Sequence, residues 1–106
     1  MSGVFAYAAP ADLRCGYNGL WGLAVNELGR DPMKGDAFLF TNRRRTSCKV
    51  LRHDGSGVTI FMKRLDRGCF PALWARARDG EVELSPAELA FFLEGGQAVG
   101  YQKLAP

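Results

Sequence analysis

The sequence predicts an α+β fold, in which a small antiparallel sheet is packed by two helices. Three short apolar runs separated by turn-forming residues indicate a meander of strands at about residues 37–41, 48–53 and 58–64. Apolar residues at three- and four-residue spacing indicate a helix over about residues 12–28. A helix-capping signal predicts a second helix over about residues 86–94.

The composition is that of a single folded domain. The chain has 106 residues, of which 47% are hydrophobic and 24% charged, so residues 1–106 are expected to form one domain. Residues 97–106 are expected to be a short, mobile tail. No apolar run approaches the roughly twenty residues of a membrane span, and the N-terminus lacks the pattern of a signal peptide. We therefore expect a cytoplasmic protein.

The N-terminal part predicts a strand followed by the first helix. Residues 4–8 are apolar enough for a strand that joins the sheet, and Asp12 is placed to cap the helix that follows. The helix has an apolar stripe made of Leu13, Tyr17, Leu20, Ala24 and Leu28. Gly29 is expected just beyond its end. The glycines within it, which indicate a close approach to the sheet, are Gly16, Gly19 and Gly22.

The central part predicts the meander and brings two basic clusters together. Asp54, Gly55, Ser56 and Gly57 form a strong turn signal, which predicts a hairpin with a four-residue loop. Because successive strands of a meander reverse direction, the arginines at 43–45 and the Lys63–Arg64 pair are expected at the same end of the sheet.

This expected basic edge of the sheet indicates a polyanionic partner. Residues 43–67 hold eight basic and two acidic side chains, whereas the remainder holds six basic and nine acidic ones. Arginine forks suit phosphate oxygens, so a nucleic acid is the predicted partner. The predicted nucleic-acid-binding residues are Asn42, Arg43, Arg44, Arg45, Lys49, Lys63, Arg64 and Arg67. The alternative is a solvated loop that keeps a sheet edge soluble.

The C-terminal part predicts one more strand and the second helix. A short strand at residues 82–84 is expected to join the sheet, and Phe70, Leu73 and Trp74 are expected to cover it. The helix should begin with a capping box in which Ser85 is the N-cap and Glu88 lies at the third helical position. Leu84 and Leu89 are placed to form the accompanying hydrophobic staple.

The sequence selects no catalytic or metal-binding group. Cys15, Cys48 and Cys69 are odd in number and widely spaced, and His53 is the only histidine. A magnesium-dependent nuclease would need converging carboxylates. The aspartates available for it lie in turns and caps: Asp12, Asp31, Asp36 and Asp54. We expect no catalytic residue, no metal, no cofactor and no enzymatic activity.

One segment resembles a family signature. Residues 12–20 read DLRCGYNGL, which is similar to the D-x-R-x-G-[FY]-x-G-L pattern of the small accessory protein encoded by the second reading frame of insertion-sequence sixty-six elements, often called TnpB. Further matches follow in order between residues 4 and 95, including Asn42-Arg43-Arg44-Arg45 and Lys63-Arg64-Leu65. The chain departs from the family pattern after Phe70, where Pro71 follows directly.

The resemblance implies a non-catalytic role in transposition beside a separate transposase. Under this interpretation the basic edge binds DNA. The alternative is a protein-interaction module that docks the transposase or another element-encoded protein, either through the basic edge or through an apolar patch around Phe70 and Trp74. The sequence leaves open the oligomeric state.

Overall fold

The computed structural model describes residues 3–75 and 80–95 and shows five strands and two α-helices in that part of the chain. In chain order they are β1 (Val4–Tyr7), α1 (Tyr17–Asn26), β2 (Ala37–Thr41), β3 (Ser47–His53), β4 (Val58–Arg64), β5 (Glu81–Leu84) and α2 (Pro86–Leu93). Short 3₁₀ turns lie at Pro32–Lys34 and Leu73–Ala75. The α+β class and all five predicted strands are confirmed.

The strands form one open sheet in the order β4-β3-β2-β1-β5. The β2–β3–β4 meander is antiparallel, as predicted. The sheet is nevertheless mixed, because β1 pairs with β2 in parallel. A parallel pair needs a long crossover connection, and the segment containing α1 provides it. β5 closes the other side of β1 in antiparallel orientation.

Each face of the sheet carries its own core. On one face α1 buries Leu20 and Ala24 against Phe38 and Phe40 of β2 and Leu51 of β3. On the other face α2 and the segment before β5 contribute buried side chains, namely Phe70, Leu73 and Phe92. The rings of Phe70 and Phe92 stack with centroids 4.8 Å apart. Because both faces are covered, β2 is buried along its whole length.

The first helix begins later than predicted. It starts at Tyr17 with Gly16 as an N-cap that has no side-chain hydrogen bond. The expectation that Asp12 caps the helix is therefore wrong. Its carboxylate accepts a hydrogen bond from the backbone N–H of Arg14 at 3.0 Å, which makes a local turn instead. Gly29 does adopt a positive φ of 64° just beyond the helix.

The helix glycines have a different reason from the predicted one. A Cβ on Gly19 would lie 2.4 Å from the Cβ of Cys15, so this glycine makes room for the preceding turn. A Cβ on Gly16 would have no neighbour within 4 Å, and one on Gly22 would approach only the Asn26 amide. None of the three marks a close approach to the sheet.

The second helix and the hairpin turn agree with the sequence prediction. Ser85 and Glu88 form both bonds of the capping box, and Pro86 is the first helical residue. In the hairpin, the N–H of Asp54 donates to the carbonyl of Gly57 at 3.0 Å. The predicted tail at residues 97–106 lies outside the described residues. No helix in the described ranges is long and apolar enough to cross a membrane.

Candidate nucleic-acid interface

The two basic clusters lie at one end of the sheet, as predicted. The register of the hairpin pairs Ser47 with Arg64 and Cys48 with Lys63. The turn that joins β2 to β3 therefore lies beside the last residues of β4. We call this region, formed by residues 42–47 and 63–67, the basic end.

Asn42 builds the turn that carries the arginines. Its side-chain oxygen accepts hydrogen bonds from the backbone N–H groups of Thr46, at 2.9 Å, and Ser47, at 3.1 Å. Its amide nitrogen donates to the Thr46 hydroxyl at 3.2 Å. The backbone N–H of Arg45 donates to the Asn42 carbonyl at 3.0 Å and closes the turn. Asn42 therefore has its side-chain groups committed to the fold.

Arg45 connects this turn to the core on the α2 face of the sheet, which contains Phe70. It is the only residue other than glycine with a positive φ in the described part of the chain, at 60°. Its guanidinium donates to the Phe70 carbonyl at 3.0 Å, and the Phe70 N–H donates to the Arg45 carbonyl at 2.7 Å. Since Phe70 is fully buried, these two bonds fix the basic end against the core.

The two lysines of the predicted set are held on opposite faces of the sheet. The Lys49 ammonium donates to the Leu13 carbonyl at 2.7 Å and thereby holds the segment before α1. The Lys63 ammonium donates to the Leu93 carbonyl at 2.5 Å, at the C-terminus of α2. A cation at a helix C-terminus is favourable because the unpaired carbonyls there carry partial negative charge.

The other four predicted residues point outward without partners. Arg43, Arg44, Arg64 and Arg67 are exposed, and none makes a hydrogen bond or ion pair with another residue of segments 3–75 and 80–95. Their guanidinium groups keep all five N–H donors available. The structure thus divides the predicted set into a structural half and an open half.

An open groove runs beside the exposed arginines. Its volume is ≈ 800 Å³. It lies between the segment before α1 and the basic end. It is lined by Ala11, Asp12, Leu13, Arg14, Asn42, Arg44, Thr46, Ser47, Met62 and Arg64.

One acidic residue lines this groove, and it is neutralised locally. The Asp12 carboxylate accepts from the Arg14 guanidinium at 2.9 and 3.0 Å. These bonds, together with that from the Arg14 N–H, lower the pKa of Asp12 to about 2. Asp12 therefore stays anionic at neutral pH and balances Arg14, while Arg44 and Arg64 give the groove its excess positive charge.

Sequence reasoning missed the far wall of the groove. Asp12 and Arg14 belong to a D-x-R motif, from which the sequence predicts a helix cap at Asp12 and no role for Arg14 in the site. The motif itself was the available signal, because an Asp and an Arg two residues apart can pair within one turn. Met62, which also lines the groove, has a side chain that is 54% exposed.

The acidic residues considered for a nuclease have separate structural partners. Asp31 accepts from the Met33 N–H, Asp36 from the Gly3 N–H, and Asp54 from its own turn. Within the described ranges no three His, Cys, Asp or Glu side chains are grouped to hold a metal ion. Burial raises the pKa of the Cys48 thiol to about 11, so it is a protonated core residue at neutral pH.

The apolar patch considered for protein docking is not a surface at Phe70. That ring is fully buried, whereas Trp74 is half-buried. An apolar groove of ≈ 410 Å³ lies nearby between α2 and the segment before β5. Phe91, which lines it, is 49% exposed.

Comparison with known proteins finds similarity to one family. The family model described as IS66 Orf2 like protein matches residues 2–103. Uncharacterized protein y4hO of Sinorhizobium fredii (strain NBRC 101917 / NGR234) is 42% identical over 85 residues, which is 79% of this chain and 71% of that protein. Uncharacterized protein y4jC of the same strain is 35% identical over 86 residues, covering 81% and 72% respectively. No solved structure matches the chain.

Proposed function

The chain belongs to the IS66 Orf2 like family, which indicates a transposition-associated accessory role, and we propose that it performs this role by binding DNA through the open arginines of the basic end. An accessory role is consistent with a protein that catalyses no reaction. The observation that carries the proposal is the set of exposed arginines without partners in the described chain, Arg43, Arg44, Arg64 and Arg67.

The proposed contact is with the phosphate backbone. Guanidinium groups bind phosphate oxygens through paired N–H donors, and a turn fixed by Asn42 and Arg45 holds Arg43 and Arg44 in place. The adjoining groove beside Arg44 and Arg64 offers space for the strand that these contacts position. Four arginines correspond to about four phosphate contacts, so the logarithm of the association constant should fall with a slope of about −3 to −4 against log salt.

The test is a salt titration of binding to duplex DNA that carries an element end, beside a scrambled duplex of equal length. Arg44→Ala and Arg64→Ala should each weaken binding roughly fivefold at low salt and reduce the salt slope by about one. Lys34→Ala is the control, because it removes one positive charge beside the Asp54 turn, at the opposite end of the sheet. It should change affinity less than about twofold, since its charge lies away from the proposed contact.

Two results would reject this proposal. One is the absence of binding by the folded protein at low salt. The other is an equal loss of affinity in all three variants, because it would show a response to net charge rather than to the basic end. A preference for the element end over the scrambled duplex would add sequence recognition to backbone contact.

A second candidate function is docking of the transposase in the apolar groove between α2 and the segment before β5. The groove is favoured by its apolar lining and by the exposed ring of Phe91. Capture of purified transposase in the presence of nuclease tests it. Loss of capture in Phe91→Ala, with capture retained in Arg44→Ala, would assign the contact to this groove, and retention in both would exclude it.

A further inference from the structure

The outer edge of β4 is a strand edge without a neighbour in the described chain. β4 is the last strand of the sheet and pairs only with β3. It is seven residues long, and Phe61 and Met62 near its centre are 50% and 54% exposed. A long, apolar edge of this kind is a template for pairing with another strand.

The hydrogen bonds at both ends of the hairpin show which residues face outward. At one end the backbone N–H of Asp54 donates to the Gly57 carbonyl, and at the other the backbone N–H of Leu65 donates to the Thr46 carbonyl at 2.8 Å. Bonded and non-bonded pairs alternate along an antiparallel ladder. Thr59, Phe61 and Lys63 therefore use their backbone groups toward β3. The residues whose backbone N–H and C=O groups face outward are Val58, Ile60, Met62 and Arg64.

These outward groups match an antiparallel copy of the same strand. If Phe61 lies opposite Phe61 of a second copy, Ile60 lies opposite Met62 and Val58 lies opposite Arg64. Every residue whose backbone N–H and C=O groups point away from β3 then lies opposite another such residue. The two can therefore exchange both hydrogen bonds of an antiparallel pair. Phe61 occupies the non-hydrogen-bonded pair at the two-fold axis, where side chains come closest.

The side chains are also complementary in this register. Phe61 meets its own copy on one face, and Ile60 meets Met62 twice on the other. The basic residues Lys63 and Arg64 lie at one end of β4, and Asp54 lies in the turn before the other end. Antiparallel pairing therefore places the two basic ends at opposite ends of the joined strands, which keeps their like charges apart.

We propose that β4 pairs with β4 of a second copy in this register, which joins the two sheets into one continuous sheet across a two-fold axis. A closed, isologous contact leaves no unpaired β4 edge and so does not propagate. The pairing does not depend on DNA binding, because the basic-end arginines other than Arg64 are not part of β4.

The test uses the residue that faces itself. In sedimentation velocity without DNA, wild-type protein should show a concentration-dependent dimer. Phe61→Lys and Phe61→Glu should each be monomeric, because like charges would face each other at the two-fold axis. An equimolar mixture of the two variants should recover the dimer, since the charges then become opposite. Phe91→Lys is the matched control, because it places the same charge at an exposed phenylalanine in the groove beside β5, at the opposite edge of the sheet from β4.

Hydrogen exchange gives a second readout that does not depend on variants. In the wild-type dimer the amides of Ile60 and Met62 should be protected like those of Thr59 and Phe61, whereas in Phe61→Lys only the latter pair should stay protected. A monomer at all concentrations would overturn the proposal. So would a dimer retained by both single variants, or a variant mixture that stays monomeric while each variant remains folded by circular dichroism.

Discussion

The two turns of the meander are built alike and present different surfaces. In the turn between β2 and β3 (residues 42–46, the upper turn), the Asn42 side-chain oxygen accepts hydrogen bonds from two backbone N–H groups farther along the chain. The turn between β3 and β4 (residues 54–57) is the lower turn. In the lower turn, the Asp54 carboxylate does the same for Ser56 and Gly57, with three accepted bonds including the Ser56 hydroxyl. Between its capping residue and the next strand, the upper turn carries arginines, whereas the lower turn carries small residues.

The difference shows that turn geometry and surface chemistry are set by different residues. The capping side chain fixes the backbone, so the residues at the apex are free to vary. In the upper turn, Arg43 and Arg44 are exposed to solvent. The Arg45 guanidinium instead donates a hydrogen bond to the Phe70 carbonyl and so forms part of the folded structure. Adjacent arginines of one run thus have different roles, and stability measurements can separate them.

The largest effect is expected at the capping residue of the upper turn. Asn42→Ala removes three side-chain hydrogen bonds from a half-buried turn and should lower the free energy of unfolding by about 2 kcal/mol. Asn42→Asp is the control, because it keeps the accepting oxygen and loses only the donor, so its loss should be smaller. Urea denaturation measures both. Equal losses in the two variants would show that the accepting oxygen does not hold the turn.

A smaller effect is expected within the arginine run. Arg45→Ala should lower the free energy of unfolding by about 1 kcal/mol through loss of the bond to the Phe70 carbonyl. Arg45→Gly loses the same bond but relieves the positive φ, so it should be less destabilising than alanine. Arg44→Ala should stay within about 0.5 kcal/mol of wild type. If Arg44→Ala costs as much as Arg45→Ala, the division into structural and open arginines is wrong.

Most of the fold follows from local signals in the sequence. The bounds of β2 and β4 follow from apolar runs that end at turn residues, and the hairpin turn fixes their direction. The parallel pairing of β1 with β2 has no such signal, because the pattern of apolar residues in a strand indicates which face is buried and not which strand lies beside it. The late start of α1 was missed because a carboxylate that caps a helix and one that makes a local turn use the same bond to a nearby N–H.

The candidate site was predictable in position and not in detail. Charge and strand direction placed the basic residues at one end of the sheet. Which of them remain open depends on tertiary reach, as with Lys63, whose side chain extends to Leu93 at the end of α2. The opposing wall with Arg14 was likewise invisible to charge counting, because the run that carries the other basic residues is far away in sequence.

The smallest effect on stability is expected in the lower turn, where the stabilisation by Asp54 should depend on pH, unlike that by Asn42 in the upper turn. The bonds from Ser56 and Gly57 lower the pKa of the Asp54 carboxyl below its usual value. A group whose pKa is lower in the folded state stabilises the fold above its unfolded pKa of about 3.9, and that contribution is lost as pH falls through the folded value. Wild type should therefore be more stable than Asp54→Asn at pH 7, and acidification below about pH 4 should narrow the gap.

Thermal unfolding of both proteins from neutral to acidic pH measures this difference. Asp66→Asn is the control, because it removes an exposed carboxylate from the same hairpin's far end without removing a turn bond. The Asn42 side chain does not ionise, so its hydrogen bonds should stabilise the upper turn equally across this pH range. If the Asp54→Asn and wild-type curves run parallel across the range, the lower turn is held by the accepting oxygen alone, and its cap is then equivalent to the amide of the upper turn.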